Sequence, residues 1–462
     1  MEEPTRTDAP ALTWSFLALG AALLVIAVSI ALAVRGGDAP EPSASPSKNP
    51  FAAPTASAHA PASSELPHVT AGVDSPGHDD WLHTDGNRIV DASGNEVWIT
   101  GANWYGFNMQ ARVLGGLWAA NMEDTLTKLG MRGINTIRLP ISAQLLLEWR
   151  DYGGDVPRAV DYTKNPDLAG RTSLEIFDAF LAAAKDRGMK IIPDIHAAEA
   201  DDDGHMTELW FTDRVSADQV VEAWEWFAER YKDDDTIIGY DLKNEPHGAA
   251  VWDDSDAQEN WRAFAERLGN RLLEINPHAL ILVEGVDHSP TPDGGVSYTW
   301  WGGDLRQAAA HPIRLSDPTK LVYSPHEYGP LVYEQPWFQK AFTGETLRAD
   351  VWQPNWLYLH EDGTAPLFIG EWGGHVGRDG RQDAWMLALR DLIVRERIAH
   401  TWWCVNPESG DTGGLFGADW QTFDEKKWDV LPPALWQDDA GRFVSLDHAT
   451  PLPGGASVSD VY

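Results

Sequence analysis

The stretch 237–248, IIGYDLKNEPHG, begins as an apolar run and ends in a crowd of polar groups around a proline. Ile237 to Tyr240 read as a buried strand, whereas Asn244, Glu245 and His247 are costly to bury without partners. Pro246 has no N–H to give a sheet, so pairing must end there. Such a segment is either a turn leaving a core or a carboxylate held at the mouth of a rigid scaffold.

Seven further runs share this form: VWITGANWYG (97–106), INTIRLP (134–140), KIIPDIH (190–196), ALILVEG (279–285), KLVYSPHEYG (320–329), PLFIGEWGG (366–374) and AHTWWCVNP (399–407). Between several of them lie amphipathic helical patterns, such as SLEIFDAFLAAAKDRG (173–188) and SADQVVEAWEWFAERY (216–231). Apolar strands alternating with helices imply a parallel sheet covered on its faces. Eight such units predict an α/β fold, a (β/α)8 TIM barrel, over residues 74–462. A doubly wound open sheet would carry a glycine fingerprint after its first strand, and none occurs there.

In a barrel, chemistry gathers at the carboxyl ends of the strands. Those ends carry Asn103 and Trp104, Arg138, His196, Asn244 and Glu245, Glu284, His326 and Tyr328, Glu371, and Trp402 and Trp403. Glu245 ends the fourth strand and Glu371 the seventh, so they face each other across the mouth. Paired carboxylates among tryptophans suit glycoside hydrolysis, one donating a proton and the other attacking the anomeric carbon. Glu284, Asp194 and Glu327 are weaker candidates for that pair.

Asp194, His196, Glu245, His326 and Glu371 could instead form a metal centre, but no HExxH or HxH spacing supports one, and no metal or other cofactor is expected. The acidic loop 199–204 lacks the spacing of an EF-hand and reads as solvated. No GxSxG elbow is present, and Cys404 reads as a buried apolar residue.

Composition narrows the partners. Seventy acidic against 35 basic residues give a formal charge of −35, which argues against nucleic acid. A single cysteine excludes an intrachain disulfide framework. Tryptophan is abundant, 23 residues against 14 phenylalanines; most should pack the core, and a few could form platforms for sugar rings.

Residues 11–34 are uncharged and long enough to span a bilayer. With acidic residues before it and a long apolar run, the segment 1–35 reads as a membrane anchor; Ala31-Leu32-Ala33 leaves cleavage as a signal segment open. Residues 36–73, rich in Pro, Ala and Ser, read as a disordered tether.

The strand-end motifs, in this order, resemble those of the family 5 glycoside hydrolases over about residues 80 to 435. They are NTIRLP (135–140), DIH (194–196), GYDLKNEPHG (239–248), YSPHEYG (323–329), GEWG (370–373) and WCVNPESGDTGG (403–414). SYTWWGGDL (297–305) and NPESGDTGGL (406–415) are most similar to the bacterial endoglucanase branch.

The resemblance implies Glu245 as acid/base and Glu371 as nucleophile of a retaining enzyme. It implies substrate-site roles for Asn244 on the sugar 2-hydroxyl and for His196 and His326 on other hydroxyls, His326 also helping to position the acid. Arg138 and Tyr328 would hold the nucleophile ionised, with Trp403 under the reacting sugar and Trp104 and Trp301 along the cleft. The nearby charge of Glu371 should then raise the pKa of Glu245. The implied substrate is a β-1,4-glucan outside the cell, with a β-mannanase, another β-glucanase or a non-catalytic sugar-binding barrel as alternatives.

Overall fold

Each of the eight apolar runs forms a strand of one parallel sheet: β1 (Thr100–Asn103), β2 (Thr136–Ser142), β3 (Lys190–Ala197), β4 (Gly239–Asp241), β5 (Leu280–Val283), β6 (Leu321–Tyr323), β7 (Phe368–Trp372) and β8 (Ala399–Trp402). The computed structural model describes residues 80–462, so the anchor and tether expected over residues 1–73 lie outside the described residues. Among the described residues no helix is long and apolar enough to cross a membrane.

Strands β1 to β6 pair in chain order, and β7, β8 and β1 complete the run. The seam between β6 and β7 is closed by two parallel bridges, Tyr323 opposite Leu367 and His326 opposite Glu371. The barrel is thus closed at the positions where the sequence places its candidate chemistry. Every residue of β2 and β3 is buried, as a strand covered on both faces requires.

The helices form where capping and periodicity agree. Thr172 and Glu175 make a reciprocal capping box at the start of Ser173–Lys185, and Ser216 and Gln219 do the same for Ala217–Tyr231. The second helix buries Val220, Ala223, Trp224, Phe227, Ala228 and Tyr231, the spacing of one helical face. Its Trp224 donates its indole N–H to the Leu242 carbonyl at 3.1 Å, tying the helix to the end of β4.

Most tryptophans do pack the interior: sixteen of the 23 are buried, and Trp104, Trp149, Trp210, Trp224, Trp261, Trp352, Trp356, Trp372, Trp385, Trp402 and Trp420 are under 2% exposed. Cys404 is buried as well, and burial pushes its thiol pKa up, away from a nucleophile's.

At the opposite end of the barrel, buried Lys190 at the start of β3 joins both ends of the domain. Its Nζ donates to Asp80 Oδ2 at 2.5 Å and lies 3.3 Å from Asp447 Oδ2. Removing the cation leaves buried Asp80 with His448 as its partner and buried Asp447 with only the N–H groups of Ala449 and Thr450. Lys190→Met should therefore lower unfolding stability in urea by about 3–5 kcal/mol, the range for breaking a buried pair; a loss below about 1 kcal/mol would show that the clamp does little.

Candidate active site

The fourth strand's ladder runs out at Asn244, whose N–H bonds the Ile195 carbonyl at 3.0 Å. The next N–H, that of Glu245, turns away to Glu284 Oε2 at 2.7 Å, and Pro246 has none to give. Glu245 sits at φ 50°, a left-handed conformation that non-glycine residues rarely adopt. The Glu284 contact holds it there and sets where its side chain points.

Arg138, in β2, is completely buried at the centre of the mouth. Its Nε donates to Asp241 at 2.9 Å and its Nη1 to Asn103 and Glu371, both at 3.0 Å. Its Nη2 donates to Asn244 at 3.1 Å and to Glu284 at 3.0 Å, with Asp194 3.2 Å away. One guanidinium thus gathers groups from β1, β3, β4, β5 and β7. Lys243, also buried, bonds the Asn244 carbonyl, with Glu284, Asp194 and Glu245 as the charges nearest in effect.

Oxygens of Glu245 and Glu371 and a ring nitrogen of His326 lie within 4.8 Å of one another. Glu371 Oε1 accepts from Arg138 and Oε2 from the Tyr328 hydroxyl at 2.6 Å. Glu245 Oε1 lies 2.9 Å from His326 Nδ1, whose other nitrogen is 3.2 Å from Glu284. Gly370 precedes Glu371 because a Cβ there would come within 2.8 Å of His326 Nε2.

Burial pushes Glu371 up to about 7, aided by the Glu245 charge and opposed by His326, Arg138 and Tyr328. Burial also acts to raise Glu245, but the hydrogen bond and charge of His326 outweigh it and bring that carboxyl below its ordinary value. The expected rise of Glu245 beside Glu371 is therefore overridden, because His326 sits on the acid. The two carboxyls titrate as a pair sharing one proton. Arg138 and Tyr328 both donate to Glu371 and so favour the arrangement with the proton on Glu245.

The pair opens on a cleft of about 880 Å3, near the upper end of the range for ligand pockets. Asn244, His196, Tyr328, Trp301 and Trp403 line it with Glu245 and Glu371. His196 binds Asp194 through Nδ1 at 2.7 Å and stacks on Trp403 with ring centroids 5.4 Å apart. Burial first, then Arg138, holds the His196 pKa well down, so it meets the cleft as a neutral ring.

Two expectations change. Trp104 is not a cleft residue: it is buried against Phe180 and Trp420, with its N–H on the Gly115 carbonyl at 2.9 Å. His326 is fully buried behind the cleft wall, so it acts on the carboxylates rather than on a sugar hydroxyl; Arg138, equally buried, bonds Glu371. Other contributors lie outside the strand-end set. Asp241 anchors Arg138, Tyr105 stacks beneath Trp403 at 5.6 Å, and His247 stacks on Trp301 at 3.7 Å and 4°. An aspartate inside an apolar strand was the available signal for Asp241.

Two acidic clusters have metal-like spacing among the described residues. In Asp194, Asp241 and Glu284 the cation is already Arg138, within 3.2 Å of all three. In Glu245, His326 and Glu371 the oxygens that bond Arg138, Tyr328 and His326 are already engaged. The donor set fits a proton-sharing pair better than a cation cage.

Residues 90–409 match the model of the cellulase family, glycosyl hydrolase family 5. The chain is 44% identical over 443 residues to Endoglucanase G of Acetivibrio thermocellus, covering 85% of this chain and 78% of that protein. It is 42% identical over 352 residues to an endoglucanase of Paenibacillus polymyxa, covering 76% and 86%. Among solved structures, the endocellulase of the archaeon Pyrococcus horikoshii superposes with a TM-score of 0.70 at 33% identity, over 77% of this chain and 98% of that one. A complex of that endocellulase with cellotetraose is similar at the same TM-score. Fold, strand-end motifs and relatives agree: the chain belongs to glycosyl hydrolase family 5.

Proposed function

We propose that the protein is a retaining endo-β-1,4-glucanase acting on cellulose-type chains. The observation that carries this reading is the spacing of Glu245 and Glu371, with oxygens within 4.8 Å across an open cleft. Retention needs carboxyl groups about 5–5.5 Å apart, whereas inversion leaves room for a water at about 6.5–9.5 Å. The endoglucanase relatives, and the endocellulase that binds cellotetraose, support a β-glucan as the substrate.

In this reading Glu371, aimed by Arg138 and Tyr328, attacks the anomeric carbon. Glu245 gives its proton to the leaving oxygen. Esterification removes the Glu371 charge, so Glu245, now ionised, takes a proton from the water that releases the sugar. Asn244, whose carbonyl oxygen is held by Arg138, turns its amide to the cleft to bond the sugar 2-hydroxyl, and Trp403 supports the ring.

The domain works outside the cell, tethered by residues 11–34 or released if that segment is cleaved. Fractionating cells that produce the full chain tests the tether. Recovery in the membrane fraction supports it, and recovery only as free protein beginning near residue 34 supports release.

Glu371→Ala should abolish cleavage of carboxymethylcellulose and of cello-oligosaccharides. Glu245→Ala should lose roughly 10²–10⁴-fold, as for removal of a general acid, and lose less on aryl cellobiosides whose leaving group needs no proton. Retained activity in Glu371→Ala would overturn the assignment. Equal activity on mannan and on β-glucan would overturn the choice of substrate.

The shared proton fixes the pH profile. Activity requires the pair to hold one proton, so kcat/KM should fall as pH rises through about 7, where the pair gives it up. On acidification, activity should persist below the ordinary glutamate range, because the pair, with His326 beside Glu245, resists taking a second proton. His326→Gln removes the contact that lowers Glu245, so the acid limb should move to higher pH. An acid limb that stays in place would contradict this assignment of His326.

A further inference from the structure

The segment after β6 alternates. His326 and Tyr328 face the site, bonding Glu245 and Glu371. Glu327, between them, turns its side chain into the layer of helices while its N–H bonds the Glu371 carbonyl at 3.1 Å. It is 1% exposed. Trp385, on the helix Gly380–Glu396, donates to its Oε1 at 3.3 Å. The N–H groups of Trp352 and Trp356, from the helical segment Arg348–Leu357, and of Trp300 also act to favour its charged form.

Trp300 lines the cleft and packs edge-on against Tyr328, with centroids 5.9 Å apart at 71°. Its indole nitrogen and that of Trp352 lie buried beside Glu327 without a completed hydrogen bond, as does Glu327 Oε2. Burial dominates at Glu327 and pushes its carboxyl up to about 8. A leucine would fill an apolar, indole-lined space without that desolvation cost, so packing alone gives no account of a carboxyl here.

We propose that Glu327 is a positioning residue: through the tryptophan cage behind the barrel wall it fixes the strip carrying His326 and Tyr328, and so aligns both site carboxyls. This rests on the retaining-glycosidase reading. It also assigns work to four of the many tryptophans, of which only Trp300 borders the cleft. The cage joins two helices and the wall of the cleft to a single residue on the seam between β6 and β7.

The test compares Glu327→Leu and Glu327→Gln with the parent protein, by steady-state kinetics on cellopentaose, pH profiles and thermal unfolding. A misplacement near 1 Å costs up to about 100-fold, so Glu327→Leu should lose about 10- to 100-fold in kcat. KM should change much less. The acid limb should move to higher pH, since a loosened His326 no longer lowers Glu245.

Glu327→Gln keeps an acceptor for Trp385 and should recover most of the lost kcat. An unchanged kcat in the leucine variant, or a glutamine variant no better than leucine, overturns the proposal. Should Glu327→Leu not fold, Trp385→Phe removes the indole N–H, together with part of the ring, and leaves Glu327 in place. A lower kcat in that variant with a normal KM supports the proposal, and an unchanged kcat overturns it. A parent protein inactive on every glucan would overturn the glycosidase reading and this proposal together, whereas an active parent with unaltered variants overturns this proposal alone.

Discussion

A guanidinium cut off from water must find an acceptor for each of its N–H groups, and Arg138 has five to place at the centre of a barrel mouth. Its partners arrive from five other strands: Asn103, Asp194, Asp241 and Asn244, Glu284, and Glu371. A shift of any one strand would leave a buried donor or a buried carboxylate unpaired, at a cost of several kcal/mol. The register of the barrel and the geometry of the site are therefore one constraint. Asn244 and Glu284 feel it directly, and Glu245 feels it through the Glu284 oxygen that holds its strained backbone.

The same constraint divides the labour between two chemically identical side chains. Glu371 lies against a permanent cation and a phenol, which suits a carboxylate that must attack. Glu245 lies against a histidine, itself bound to Glu284, which can follow a proton that leaves and returns. Burial raises several of the surrounding acids, Asp194 to about 6 among them, so the centre need not carry every charge its composition implies. A formal charge of −35 over the chain coexists with a core in which the acids are paired or neutral.

Much of this was legible in the sequence, for reasons that can be named. Buried parallel strands leave continuous apolar runs, and all eight runs became strands. A barrel puts function at strand ends, so Glu245, Glu371, Asn244, Arg138, Tyr328 and His196 meet in space although they are far apart in the chain. Depth was not legible. A strand-end residue can face the cleft or the layer behind it, and alternation alone does not say which. Trp104 turned inward, and His326 stopped behind the wall while His196 reached the cleft. Nor does sequence spacing show that a histidine would outweigh a neighbouring carboxylate, because that balance depends on tenths of an ångström. Asp241 and Glu327 are the same case: buried acids whose purpose is visible only with their partners in place.

The central claim is that Glu371 forms a covalent bond to the sugar while Glu245 supplies and recovers the proton, a consequence of their close spacing at Arg138. Proton NMR of cellopentaose hydrolysis, recorded before the anomers equilibrate, tests it most directly. The account predicts that the newly formed reducing end appears first as the β-anomer. First appearance of the α-anomer would contradict it, because a single displacement by water would then be the reaction this cleft performs.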